Sequence, residues 1–286
     1  MLEELINEHV WFLYLSLGIV SLVIGSFLNV VIYRLPIILQ EQWQLEAKAL
    51  LGLTVAKKSH YNLLLPRSSC PECQSIIPAW HNVPLLSFIL LRARCHHCHA
   101  KISFRYPLIE LLTVLLSFIP VFVYGFTLHA LFALGAIWIC ICLVAIDLEH
   151  HLLPDGLTLL LLWMGMLANT WELYTPLPDA VLGAIFGYLS LWIFIQLYYW
   201  KSGKIGMGHG DFKLFAAFGA WCGWQMLPII LFFASITGAL AGLIYLNITH
   251  KGKDTPIPFG PFLCFSGIIV LLWGQSLLSR YLSLWL

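Results

Sequence analysis

Charge is what this sequence lacks. Of its 286 residues, 15 are Lys or Arg and 14 are Asp or Glu, 10% in all, against roughly 25% in an ordinary soluble domain. With 60% of residues hydrophobic, that scarcity excludes a soluble enzyme. It also removes the basic surface that nucleic acid would need, so no nucleic-acid partner is expected. The start, Met1-Leu2-Glu3-Glu4-Leu5, is acidic and has no basic n-region, so no cleaved secretory signal is expected. No strand pattern precedes the glycine-rich stretch near residue 208, which argues against a phosphate cradle. What is present is apolar length, and it describes a polytopic membrane protein surrounded by lipid.

Trp11 to Tyr33 is an uncharged run of 23 residues closed by Arg34, long enough to cross about 30 Å of hydrocarbon as a helix. From Leu35 to Arg105 the composition changes and most of the basic residues collect. Further apolar spans are expected at Tyr106 to Tyr124, His129 to Ile146, Gly156 to Tyr174, Ala180 to Trp200, Phe212 to Trp224, Leu227 to Ile248 and Phe259 to Leu278. The fold class is therefore all-α, with about eight transmembrane helices and a water-exposed domain inserted between helices one and two. The expected division is residues 1–34, 35–105 and 106–286. The sixth span is short and interrupted by Gly219 and Gly223, as suits a half-length helix buried in protein. Gly183 with Gly187 and Gly238 with Gly242 are GxxxG faces suited to close helix packing. Residues 40–64 match no motif.

The placement of basic residues orients the chain. Arg34, Lys48, Lys57, Lys58, Arg67, Arg92, Arg94, Lys101 and Arg105 lie in or beside the large loop. Lys201, Lys204, Lys213, Lys251 and Lys253 fall on the same side of an eight-span topology, and only Arg280 lies outside the set. The loop, Asp147 and Asp211 are then all expected on the cytoplasmic face, with both termini opposite.

That topology brings two carboxylates to one membrane surface. Asp211 follows Gly206-Met207-Gly208-His209-Gly210, a backbone able to run close to another chain, and opens an apolar run with Phe212 and Lys213. Asp147 closes the run Leu131 to Ile146. An ionisable group at a membrane boundary is a functional-site hypothesis in its own right. Two carboxylates in one partly desolvated site share a proton and can act as general acid and base on one water, as in an aspartic protease. Plain readings stand beside this one. Asp211 is also placed to cap the sixth helix, and Asp155, after Pro154, to cap the fourth. Asp147 sits at a helix C-terminus, where the dipole disfavours an anion, so local structure does not account for it. Glu110 reads as an interface-paired carboxylate, and His150, His151 and His209 as interfacial polar residues near the pair.

The large loop carries Cys70-Pro71-Glu72-Cys73 and Cys95-His96-His97-Cys98, two CxxC pairs separated by 21 residues. Two such pairs close a tetrahedral zinc site with the spacing of a ribbon or knuckle. Disulfides are the alternative, disfavoured on a reducing face. His96, His97 and His99 offer other nitrogen ligands, but four thiolates already complete the shell. Cys140, Cys142, Cys222 and Cys264 lie in apolar runs and read as core residues.

Taken together, Gly208-His209-Gly210-Asp211-Phe212-Lys213 and the segment Asp147 to Asp155 resemble the bacterial type IV prepilin peptidases, intramembrane aspartic proteases of the GxGD type. Gly25-Ser26-Phe27-Leu28-Asn29-Val30-Val31-Ile32-Tyr33-Arg34-Leu35-Pro36, Trp80-His81-Asn82-Val83-Pro84, the CxxC pairs and Pro258-Phe259-Gly260-Pro261-Phe262 agree, so the resemblance spans nearly the whole chain. It implies catalysis by Asp147 and Asp211, supported by Gly208, Gly210 and Lys213, and structural zinc on Cys70, Cys73, Cys95 and Cys98. The implied substrates are prepilins and pseudopilins, cut after the last glycine of a short basic leader at the bacterial inner membrane. It also implies N-methylation of the new terminus from S-adenosylmethionine, for which the sequence shows no donor-binding motif. Two other readings stay open: a peptidase whose zinc loop is only a substrate dock, and a membrane carrier or assembly scaffold. The carrier would call for inverted repeats and midplane charges.

Overall fold

Long apolar runs rich in Leu, Ile, Ala and Phe, punctuated by Gly and Pro, leave the backbone in lipid one way to satisfy its own polar groups, which is helix. A computed structural model describes residues 10–53, 61–78, 83–203, 206–249 and 257–283. Outside these lie residues 1–5, Lys57, Lys58, Lys204, Lys251, Lys253 and the 80–82 part of the tryptophan-containing motif.

The helices are α1 (Val10–Leu50), the single-turn α2 (Leu86–Leu90), α3 (Arg105–Tyr124), α4 (Leu128–His150), α5 (Asp155–Asn169), α6 (Leu177–Ser202), α7 (His209–Cys222), α8 (Leu227–Thr249) and α9 (Gly260–Ser283). Among the described residues, β pairing is confined to two isolated antiparallel bridges, Ser69 to Ile76 and Arg94 to Lys101. Apart from α2, these helices occupy the eight expected positions. Five are long and apolar enough to cross a membrane: α1, α3, α4, α6 and the stretch Trp224–Ile248 that contains α8. The apolar helices at Asp155–Asn169 and Gly260–Gly274 are shorter, and α7 has 14 residues. Among the described residues five helices thus have the length and composition of a membrane crossing, and three shorter apolar helices stand at the remaining expected positions.

Two further differences from the sequence reading concern helix ends. The first helix does not stop at Arg34. It continues through a buried Pro36 to Leu50, 41 residues in all, because Glu41 to Leu50 is a run of strong helix formers that resumes the ladder after the proline. At 1.5 Å per residue it is about 60 Å long, so only part of it can lie in lipid. The second difference is capping. The N-cap of α7 is Gly208 and that of α5 is Pro154, so neither Asp211 nor Asp155 is the cap expected of it. Asp211 sits two residues inside α7 and Asp155 is the first residue of α5.

The chain divides into two compact units, Met1–Phe122 and Val123–Leu286. In the first, α1 and α3 approach closely: a Cβ on Gly25 would lie 2.9 Å from the Glu110 Cα and 3.1 Å from the Thr113 Cβ. Tyr14 stacks on Phe118 and Phe122 at the other end of the same pair. Buried Arg34 ties α1 to the segment that follows, donating to the carbonyls of Asn62, Leu63 and Pro66.

In the second unit α7 is the central helix, packed against α5, α6 and α9. From Asp211 to Cys222 every residue but Lys213 is buried. The GxxxG face of α6 performs as its sequence implies. A Cβ on Gly183 would strike the Gly219 carbonyl of α7, and one on Gly187 would lie 2.9 Å from the Ala216 Cα. Backbones this close allow no side chain between them. The far end of α7 is clamped by buried Asn169, whose Nδ2 donates to Ala220 O and Trp221 O while its Oδ1 accepts from Tyr174 N and Thr175 N. Outward-facing Ile185, Phe186, Leu189, Ile193 and Phe194 of α6 are exposed, as a lipid-facing surface requires.

Asn169→Ala would leave four buried backbone groups without a partner, each normally costing about 1–3 kcal/mol. The variant should melt well below the wild type in detergent, and an unchanged melting temperature would mean the clamp is dispensable.

Candidate active site and metal centre

Asp147 lies in the last turn of α4. That helix ends as His151 adopts the left-handed conformation (φ 50, ψ 43) and its N–H donates to the Asp147 carbonyl. The carboxylate is only 5% exposed and sits at the unfavourable end of its own helix dipole. What offsets that position is α9. The N–H of Gly260, the first residue of α9, donates to Asp147 Oδ2 at 3.0 Å, so the positive end of one helix meets the anion stranded at the negative end of another. A Cβ at position 260 would lie 2.6 Å from that same oxygen, and only glycine permits the approach.

Asp211 is 8% exposed and lies within electrostatic reach of Asp147. Its backbone N–H donates to the Gly208 carbonyl as α7 begins. Its Oδ1 is buried and makes no hydrogen bond among the described residues, which leaves an acceptor for a water or a peptide group. Leu153 closes the space around both acids. A Cβ on Gly210 would lie 2.7 Å from the Leu153 Cβ, and one on Gly260 3.0 Å from its Cδ2. The small residues beside each aspartate therefore face one shared leucine. Lys213 turns away from the pair and donates to Asp155 Oδ1 at 2.6 Å, linking α7 to α5. The pair is partly exposed, so the bridge is worth at most about 1 kcal/mol. His150 and His209 are exposed, and the His209 ring packs edge-on against Phe212.

The structure adds two residues to the sequence reading and gives Glu110 its partners. Gly260 and Leu153 had no assigned role, although Gly260 stands in a recognisable Pro-Phe-Gly-Pro stretch. Glu110 is held as an interface-paired carboxylate within the first unit: Oε2 accepts from Leu85 N at 2.9 Å, and the Ser26 hydroxyl is a second partner.

The first unit carries a separate cluster. One ligand atom from each of Cys70, Cys73, Cys95 and Cys98 lies within 4.8 Å of the others, with Cys70 Sγ 3.8 Å from Cys98 Sγ. Two similar turns deliver them. Cys70 N donates to Ser75 O and Gln74 N to Cys70 O; likewise Cys95 N donates to Ala100 O and His99 N to Cys95 O. The residue after each second cysteine, Gln74 or His99, has φ 58, which bends the turn so that both thiols face inward. The Ser75 hydroxyl, 3.0 Å away, and the Ser75 backbone hold the Cys73 thiol below its ordinary range. Four converging thiols, one already poised to ionise, fit a tetrahedral thiophilic ion with no open position. All eight cysteines of the sequence are free thiols, and the four of this cluster converge as one set rather than as two bonded pairs.

Residues 19–124 match the bacterial peptidase A24 N-terminal domain, and residues 134–243 match the type IV leader peptidase family. The chain is 54% identical over 287 aligned positions to a prepilin leader peptidase/N-methyltransferase of Legionella pneumophila, with 100% of each chain covered. It is 45% identical to one of Pseudomonas putida, over 97% of this chain and 96% of that one. Against one of Pseudomonas aeruginosa the identity is 47%, over 93% and 92%. No solved structure gives a significant match.

A side chain at position 260 must displace either α9 or the Asp147 carboxylate. Gly260→Ala should therefore destabilise the protein, and Gly260→Val should do so further, by about 1–3 kcal/mol for a close-packed site, read as a fall in melting temperature. Equal melting of all three proteins would show that this approach is looser than the geometry states.

Proposed function

The chain belongs to the type IV leader peptidase family, and we propose that it cleaves the short basic leader from type IV prepilins and pseudopilins with Asp147 and Asp211 as the reacting carboxylates. The observation that carries this reading is their convergence. Two acids 64 residues apart in sequence, on different helices, are both buried, within electrostatic reach, and flanked by glycines that let Leu153 pack against both. One ionised carboxylate takes a proton from water as the water oxygen attacks the scissile carbonyl carbon, while the other, protonated, donates to the carbonyl oxygen. Collapse of the tetrahedral species breaks the C–N bond; the proton held by the first carboxylate passes to the leaving amine, and one hydroxyl of the species returns its proton to the second carboxylate as the C=O re-forms. Burial of both acids supports the shared proton that this cycle needs. The Gly260 N–H holds Asp147 in place through both steps.

The substrate follows from the membrane setting. A basic leader stays at the anionic cytoplasmic surface while the following apolar helix lies in lipid, which puts the bond after the last leader glycine near the bilayer boundary. The concentration of Lys and Arg in the 35–105 segment and beside α6 and α7 supports an active site on the cytoplasmic face of a bacterial inner membrane. On this reading residues 106–286 form the peptidase domain and residues 35–105 a cytoplasmic domain that Cys70, Cys73, Cys95 and Cys98 hold around structural zinc.

The new N-terminus is then methylated, as the names of the relatives indicate for those proteins. S-adenosylmethionine supplies the methyl group to the free amine, leaving S-adenosylhomocysteine and a proton. The carrier alternative is not favoured, because both acids lie at helix ends rather than mid-helix.

Two measurements check this function. Asp147→Asn and Asp211→Asn should each fold, judged by melting in detergent, yet cut a purified prepilin about 10²-fold or more slowly than wild type. Near-normal cleavage by either variant removes the two-aspartate mechanism. Separately, purified protein should contain one equivalent of zinc, and the variant with Cys70, Cys73, Cys95 and Cys98 all changed to Ser should contain none. A full equivalent in that variant would refute the ligand assignment.

A further inference from the structure

The short helix α2 belongs to the segment that the sequence places in water, yet the structure sets it level with the apolar helix beside it. The 20 residues of α3 span about 30 Å, the thickness of the hydrocarbon, so Arg105 stands at the boundary and Glu110, one and a half turns on, lies inside it. The Glu110 carboxylate accepts from Leu85 N at 2.9 Å, and Leu85 is the residue from which α2 starts. Leu85 is also the centre of a γ-turn, with φ 54 and Leu86 N donating to Pro84 O. That conformation is costly and persists only where its surroundings hold it. Glu110 does so, and it fixes the start of α2 at its own depth.

From there α2 turns an apolar face outward. Leu86, Ile89 and Leu90 share one side of the helix and are 59%, 69% and 79% exposed. On its inner side Ser87 is buried and the Phe88 ring meets Phe104, 6.1 Å between centroids. Phe104 leads into lipid. With Leu108, Leu111 and Leu115 it makes an exposed apolar stripe along α3, so α2 lies at the end of a surface that faces hydrocarbon. Its backbone suits that place: past the last regular turn, the N–H groups of Leu91, Arg92, Ala93 and Arg94 still donate to carbonyls between Ser87 and Leu91, as a chain touching acyl groups requires. Cations follow at once. Arg92, Arg94 and Lys101 are exposed, and the bridge between Arg94 and Lys101 sets two of them directly across from each other, a destabilising arrangement that an anion beside them would relieve.

We propose that α2 is an interfacial anchor inserted into the leaflet that α3 enters at Arg105, with Leu86, Ile89 and Leu90 among the acyl chains and Arg92, Arg94 and Lys101 on the headgroups of anionic phospholipid. An apolar face with cations at its edge is the pattern of a segment lying in the plane of a membrane surface. Lipid is favoured over a protein partner because the face runs on into the lipid-facing stripe of α3, where a partner would have to displace the bilayer. The proposal does not depend on the peptidase reading. Its consequence falls on the cysteine cluster. Ile102 N donates to Ala93 O, joining the second cysteine turn to the end of α2, so the thiol cluster is carried on the membrane surface.

The test uses the full-length protein in nanodiscs of equal parts phosphatidylglycerol and phosphatidylcholine. A nitroxide is attached to Leu90→Cys and, as an independent carrier should that variant misfold, to Ile89→Cys, with the signal of identically treated wild type subtracted. Gln74→Cys serves as the water reference and Leu115→Cys as the lipid reference. The labels on α2 should relax with oxygen, as at Leu115, and not with a water-soluble nickel chelate, as at Gln74. Relaxation by the chelate overturns the anchor and leaves the face to a protein partner. In a second arm, lipids retained by the purified protein are counted by mass spectrometry. Changing Arg92, Arg94 and Lys101 together to Gln should cut the preference for phosphatidylglycerol over phosphatidylcholine about fivefold or more, the scale of a surface cation on a charged bilayer. An unchanged preference in that variant overturns the headgroup contacts even if the helix is inserted.

Discussion

Everything in the second unit depends on one electrostatic constraint: two carboxylates must leave water together without being neutralised by a cation. Lys213, two residues after Asp211, is engaged with Asp155 instead. The compensation comes from backbone. Asp147, placed by α4 where its own dipole repels it, is met by the free N–H at the start of α9. A backbone donor steadies an anion without supplying a full charge, which is the support that the proposed acid–base role would require.

That requirement passes outward as a demand for small residues. Gly260 must lack a side chain for α9 to reach Asp147, Gly210 for α7 to lie against Leu153, and Gly183 with Gly219 for α6 to seat α7 at all. Close backbone approach takes the place of the hydrophobic driving force that lipid-exposed helices lack. The result is a central helix short enough to be enclosed and rigid enough to hold Asp211. Its opposite end is secured by Asn169, whose carboxamide satisfies four backbone groups at once.

The first unit solves a different problem by similar means. Its polar segment has too few apolar residues for a core of its own. It is held by two turns that gather four thiols and by Arg34, whose guanidinium collects three backbone carbonyls. Gly25 lets α1 and α3 meet closely beside Glu110.

Much of this was written in the linear order of residues. The helical fold follows from apolar runs and the scarcity of charge, the thiol cluster from two CxxC pairs, and the candidacy of Asp147 and Asp211 from their position at the ends of apolar runs. These are local or periodic signals, readable wherever one residue's neighbours in sequence are also its neighbours in space. The end of α1 at Leu50 was hidden behind Pro36, since a proline usually stops a helix and here does not. The caps at Asp155 and Asp211 were misplaced because loop geometry, rather than residue preference, chose Pro154 and Gly208. The hydrogen bond from Gly260 to Asp147 spans 113 residues, and no propensity or spacing rule reaches so far. Nor does sequence mark Leu85 as the partner of Glu110, since that depends on where α3 meets the start of α2. Residue type and spacing determined which chemistry was available; tertiary packing alone decided which donors and surfaces that chemistry would meet, because those contacts join segments whose separation along the chain carries no periodic trace.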